Sequence, residues 1–196
     1  MTARLGVVFA LATLVVFLPL AGRADISTSL NPFSAYYNNI ARAAAANDAG
    51  RVRALLTSGN SVNQTEEESQ RTGLHNAAIT GNLQIVAILI KAGARVDPRD
   101  TVGNTPLIYA ADRDHVDVAK LLLDVGAQID AENKGGMTSL MVAAKNGEVE
   151  MVRTLLGRGA NPSKSDYTGR DALGWGLESH RPAVIAILKD AQARKR

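Results

Sequence analysis

Cysteine is absent from all 196 positions. That excludes disulfides, thiolate metal sites, a cysteine nucleophile and a lipid-bearing cysteine near the amino terminus. Aromatic residues make up 4% of the chain, so a core must be built from Leu, Ile, Val and Ala. No Gly-x-Ser-x-Gly elbow, phosphate-cradling glycine loop or His-Glu-x-x-His pair occurs, which removes the usual short signatures of hydrolases, nucleotide sites and zinc proteases. The three histidines, His75, His115 and His180, share neither a helix face nor a ligand spacing, so no metal site is expected. Glu66, Glu67 and Glu68 are adjacent, but they lack the alternation of a calcium loop and read as a solvated face.

What is present is enough apolar material to fold. Hydrophobic residues reach 46% and charged residues 21%, which argues for a buried core and against wholesale disorder. Part of the apolar material is set apart at the amino terminus. After Arg4 a charge-free run extends from Leu5 to Gly22, broken by Pro19 and followed by Arg23 and Ala24. A basic start, an apolar stretch and a small-x-small ending predict a signal peptide over 1–24, with cleavage after Ala24. The alternative is an uncleaved anchor, since 18 uncharged residues are borderline for crossing a bilayer. Cleavage would remove Arg4 and Arg23, leaving 20 basic residues against 19 acidic ones. A nearly neutral chain has no general pull toward nucleic acid or an anionic membrane.

The rest of the chain repeats itself. Thr72, Thr105, Thr138 and Asp171 stand 33 apart, as do Leu74, Leu107, Leu140 and Leu173. The pairs Ala77-Ala78, Ala110-Ala111 and Ala143-Ala144 keep that interval, and so do Gly93-Ala94, Gly126-Ala127 and Gly159-Ala160. Residues 43–59 fit the same pattern at a step of 34, placing one extra residue in the loop near Gln64–Ser69. The chemistry within a unit explains the interval. Thr105 is a good N-cap and Pro106 suits the first helical position. Leu107, Ala110 and Ala111 lie on one helix face, and a second helix sets Val116, Ala119, Leu122 and Leu123 on another. Gly126 closes it in a left-handed conformation. Neither helix can hide its apolar face alone, so units must stack.

In this phase, residues 72–97 (TGLHNAAITGNLQIVAILIKAGARVD) and 105–130 (TPLIYAADRDHVDVAKLLLDVGAQID) resemble the ankyrin repeat. The resemblance implies an all-α solenoid of about five helix-turn-helix units with β-turn fingers, over 37–69, 70–102, 103–135, 136–168 and 169–191. A linker at 25–36 and a frayed basic tail at 192–196 complete the chain. Departures from the pattern are local. Gly73 and Ser139 replace the proline, Ile108 and Met141 replace the histidine, and Asp114 and His180 stand where other units have Gly81 and Gly147. Asp tolerates left-handed geometry and His does so less well. The resemblance makes His75 structural, holding neighbouring fingers; His115 opens a second helix. Arg42, Asn47, Asp48, Arg51 and Arg53 should face water at the amino-terminal end, and the two glycines of residues 172–179 should make that helix the least stable.

The resemblance also implies a binding surface on the concave side, formed by finger tips and first helices. The tips offer Arg99, Asn104, Lys134, Tyr167 and Arg170. The position before each alanine pair offers Asn76, Tyr109, Val142 and Trp175. Tyr109 is expected at the surface because its position faces the groove. Trp175 divides evenly between plugging the end of the stack and touching a partner. The expected function is a non-catalytic protein–protein interaction module, exported and periplasmic in a bacterium or secreted. It would act as scaffold, inhibitor or protective accessory of an enzyme, without cofactor, metal, nucleic-acid partner or small-molecule substrate. A membrane-anchored adaptor is the alternative if the N-terminal segment stays uncleaved.

Overall fold

The computed structural model describes residues 39–194. The expected signal peptide, its cleavage point and the linker at 25–36 lie outside the described residues.

Within them the chain alternates short helices in two rows. The inner row comprises α1 (Ile40–Ala45), α3 (Gly73–Thr80), α5 (Pro106–Asp112), α7 (Ser139–Asn146) and α9 (Ala172–Glu178). The outer row comprises α2 (Ala49–Thr57), α4 (Leu83–Lys91), α6 (Val116–Asp124), α8 (Val149–Gly157) and α10 (Pro182–Ala193). Each inner helix packs on its own outer helix and on the next inner one. Inner neighbours meet more extensively than outer neighbours, because the fully buried pairs Ala77-Ala78, Ala110-Ala111 and Ala143-Ala144 leave little side chain to hold the helices apart. The core is one stripe of Leu, Ile, Val, Met and Ala running the length of the stack. Burying one side chain such as Leu122, which is fully covered, contributes on the order of 2 kcal/mol.

The caps follow the sequence. Thr105 and Thr138 accept from the Ile108 and Met141 N–H groups at 3.4 Å, and Asp171 accepts from Gly174 at 2.8 Å. At Thr72 the capping is reversed. His75 Nδ1 accepts the Thr72 N–H at 3.0 Å, while Nε2 lies 3.0 Å from the Asn104 carbonyl of the next unit. The neutral ring with its proton on Nε2 serves both, so His75 holds neighbouring fingers together as expected. Gly73 has a packing reason: a Cβ there would stand 3.0 Å from Ile40 and 3.2 Å from Leu89. Strand pairing among the described residues is limited to two isolated bridges, Thr65 to Thr72 and Ser165 to Asp171.

The turns between inner and outer helices form a second row. Gly81 and Gly147 are left-handed, at φ 71° and 78°. Asn47, Asp114 and His180 adopt the same conformation without glycine, at φ 60°, 54° and 53°. The chain's end differs from expectation. Gln192 and Ala193 are not a frayed tail but the last residues of α10. The Gln192 amide donates to Pro162 O at 3.2 Å and to Asp171 Oδ2 at 2.7 Å, which fastens the final turn. Gly176 is likewise a packing residue, since a Cβ would meet Leu188 at 3.0 Å.

Candidate functional site: the finger row and its aromatic end

Each finger is a tight turn closed by one side chain. The Asp100 N–H donates to Asn104 O, Asn133 N–H to Met137 O, and Asp166 N–H to Arg170 O. The same side chains turn inward and accept two further N–H groups: Val102 and Asn104 on Asp100, Gly135 and Met137 on Asn133, Thr168 and Arg170 on Asp166, all within 2.8–3.0 Å. Asx side chains satisfy turn backbones in this way. Adjacent fingers are stitched through main chain, from Thr101 N to Ser69 O, Lys134 N to Val102 O and Tyr167 N to Gly135 O. Deeper down, Asn63, Asp97 and Asp130 accept the Arg95, Gln128 and Asn161 N–H groups of the following unit.

The second oxygen of each finger acid faces the position before the alanine pair, and that position supplies a donor. Tyr109 donates its hydroxyl to Asp100 Oδ2 at 2.5 Å. The Trp175 indole donates to Asp166 Oδ2 at 2.9 Å. Asn76 donates to Glu66 Oε1 at 3.0 Å and to Ala41 O at 2.8 Å. Val142 has nothing to donate, and its finger carries an amide, Asn133, whose NH2 goes instead to Asn104 Oδ1 at 2.9 Å. This column therefore latches three fingers to their own inner helices, through Asn76, Tyr109 and Trp175.

That arrangement corrects the expected site. Tyr109 was expected as a surface contact, yet it is buried; its oxygen also accepts from Arg71 Nη2 at 2.9 Å, and His75 meets its ring edge-on. A carboxylate turned under the finger needs a donor from the helix, and Tyr109 is spent on that need. Burial, and then the bond to Asp100, push its hydroxyl pKa up. Asn76 and Val142 are buried too, and Asn104 is half-buried in its bond to Asn133. None of these four offers a free contact atom of the kind expected. Glu66 is a clamp, bound to Ser69 Oγ at 2.6 Å, whereas Glu67 and Glu68 are exposed.

Five expected residues remain at the surface. Arg99 is exposed and donates to two finger carbonyls, Gly103 O and Glu132 O. Lys134 is exposed on the next finger. Tyr167 is 73% exposed, its ring lying over Gly136, where any Cβ would strike it at 2.7 Å. Arg170 lies 4.9 Å over the Trp175 ring and pairs with Glu178. Trp175 is half-buried, so it both latches Asp166 and shows part of its ring. Sequence reasoning missed Lys145, whose ammonium lies 4.9 Å from the Trp175 ring on the other inner helix. Its signal was its place three after Val142, one helical turn along the same face. Burial works against the charge of Asp166, but Thr168, the Arg170 N–H and Trp175 outweigh it and hold its carboxyl below the usual range.

Elsewhere, an open groove of about 440 Å3 runs between α8 and α10, with Leu156, Ala160 and Ile187 in its walls and Arg153 and Arg194 at its rim. Among the described residues no group of three His, Cys, Asp or Glu could hold a metal ion, and no helix is long and apolar enough to cross a membrane.

A family model described as ankyrin repeats (three copies) matches residues 40–133 and again 125–196. The palmitoyltransferase ZDHHC17 of Danio rerio is 39% identical over 61 residues, which is 31% of this chain and 10% of that protein. The Homo sapiens palmitoyltransferase ZDHHC17 is 38% identical over 61 residues, with the same shares. The matched stretch thus spans about a tenth of these curated relatives.

Proposed function

The chain belongs to the ankyrin-repeat family, and we propose that it is an exported, non-catalytic module that binds another protein through its finger tips and inner helices. The observation that carries this reading is Tyr167. A tyrosine 73% exposed, its backbone tied to the neighbouring finger by the Tyr167 N–H bond to Gly135 O and its ring lying over Gly136, is a large amphipathic anchor. Such side chains dominate the energy of protein interfaces. Lys134 stands on the adjacent finger, and Arg170, Lys145 and Trp175 lie behind.

Export rests on the apolar run from Leu5 to Gly22 and the small residues after it. The proposed setting is the periplasm of a bacterium or the exterior, and the proposed role is scaffold, inhibitor or protective accessory of an enzyme. The palmitoyltransferase activity in the names of the two relatives does not carry over, because only a tenth of each is matched.

Two measurements test this. Immobilised full-length chain is exposed to extracytoplasmic extract beside a Tyr167→Ala/Lys134→Ala variant. A specific protein recovered by wild type and lost by the folded variant supports the reading; equal recovery by both overturns the finger-tip site. Amino-terminal sequencing of the protein from cells decides export with cleavage, which gives Asp25 first, against an anchored chain, which keeps residues 5–22.

A further inference from the structure

Resting on that binding-module reading, we infer that the finger row from Arg99 to Trp175 takes an acidic segment of the partner protein, with an apolar side chain beside Tyr167 and Trp175.

Most carboxylates along this row are already answered. Near this row Glu132 is paired with Lys164, Glu178 with Arg170, and Asp112 lies 3.4 Å from Arg113. Asp100 and Asp166 are buried in the finger turns. Among the described residues of this row three cations are left over. Arg99 meets only backbone carbonyls, Lys145 meets only the face of Trp175, and Lys134 is exposed on its finger. Among the described residues none of the three has a carboxylate within 4.0 Å.

The surplus is spread along the fingers and the inner helix behind them, with Lys145 over the face of Trp175. The Lys134 backbone is placed by its N–H bond to Val102 O, and Gly103 leaves no room for a Cβ beside it, at 2.8 Å from Lys134 N. Val102 is 52% exposed, so the row alternates apolar, cationic and aromatic surface along three consecutive fingers. An extended segment alternating acidic and apolar residues matches that order. At the other end of the finger row, exposed Glu67 and Glu68 repel the same segment and fix its direction. They also weigh against nucleic acid, whose backbone is uniformly negative.

The test is fluorescence polarisation on the full-length chain with three labelled probes. One is a short peptide alternating glutamate with leucine and phenylalanine, one the same peptide with lysine for glutamate, and one a single-stranded oligodeoxynucleotide. The acidic peptide is expected to bind at least about tenfold tighter than either alternative and to weaken as salt rises. Lys134→Glu/Lys145→Glu is expected to lose about tenfold or more. Arg53→Glu/Lys91→Glu, the same charge change on exposed outer-row positions, is expected to keep the binding. Circular dichroism melts establish that both variants fold. The inference is overturned if the basic peptide or the oligonucleotide binds as tightly, or if the outer-row variant loses as much. It is also overturned if a captured partner is released by Tyr167→Ala/Lys134→Ala but indifferent to Lys134→Glu/Lys145→Glu, an outcome that leaves the binding-module reading standing.

Discussion

Tyr109 Oη stands 2.5 Å from Asp100 Oδ2, and the same spacing of nine residues brings the Trp175 indole to Asp166. Both bonds tie a finger to the helix that follows it. Tyr109→Phe keeps the ring and removes only the hydroxyl. Asp100 Oδ2 is then left with Arg71 Nε at 3.7 Å, in a site where the carboxylate is almost wholly buried. Losing one partner of a buried, charge-assisted bond costs about 1–3 kcal/mol. The variant should show a lower denaturant midpoint with an unchanged slope. An unchanged midpoint would mean the finger turn alone holds Asp100.

Asp114→Gly should raise stability by about 0.5–1 kcal/mol, because Asp114 is held at φ 54° where glycine carries no Cβ strain. A second effect adds to this. Burial, and then the facing Asp114 charge, push the Glu148 carboxyl pKa up, opposed only by Arg181. A raised acid pKa means that stability is complete below the unfolded value and is lost as pH rises through the folded one. The gain from Asp114→Gly should therefore be larger at neutral pH than at pH about 4. Thermal melts at both pH values measure it; an equal gain at each would remove the charge argument and leave the backbone one.

Gly157→Ala should stabilise by about 0.5–1 kcal/mol. Gly157 is the last residue of α8, its φ is not positive, and a Cβ there would meet nothing within 4 Å. Gly81→Ala should do the opposite, since φ is 71° and the Cβ would lie 2.5 Å from the His115 ring. Chemical denaturation of the two variants side by side checks the contrast. A shift of the same sign in both would mean that helix propensity, not local room, decides these positions.

These contrasts mark what the sequence made legible. The threonine caps and the left-handed turns are readable because each depends on residues within a few positions of one another, and the interval of 33 because the same local pattern recurs in phase. Asp114 and His180 were identified as irregular from alignment to Gly81 and Gly147, and both have positive φ. The latch was not read, although its signal was present: Asp100 and Asp166 each stand nine before an aromatic donor, whereas Asn133 stands nine before Val142. The family resemblance turns this column outward, which hides the latch. Whether a side chain on a helix shoulder faces a groove or a finger depends on how far the finger folds back, and that is a tertiary fact. Lys145 was missed for a related reason, since its aromatic neighbour lies thirty positions away on another helix.

His75 supplies the remaining prediction. Burial lowers its pKa, against the opposing pull of the Asn104 carbonyl and the Asp100 charge, and it must stay neutral for Nδ1 to accept the Thr72 N–H. A base with a depressed folded pKa gives stability that is full above its unfolded value and is lost as pH falls below it. From about pH 6.5 toward pH 5 the unfolded chain takes up a proton that the folded chain refuses. The chain should lose stability across that window, although Glu148 acts in the opposite direction lower in the range. His75→Gln should be less stable at neutral pH, because the bonds to Thr72 and Asn104 are disturbed, but should lose this slope. Denaturation midpoints of both proteins through the window decide the matter: parallel curves would show that His75 is not the group that titrates, and converging curves that it is.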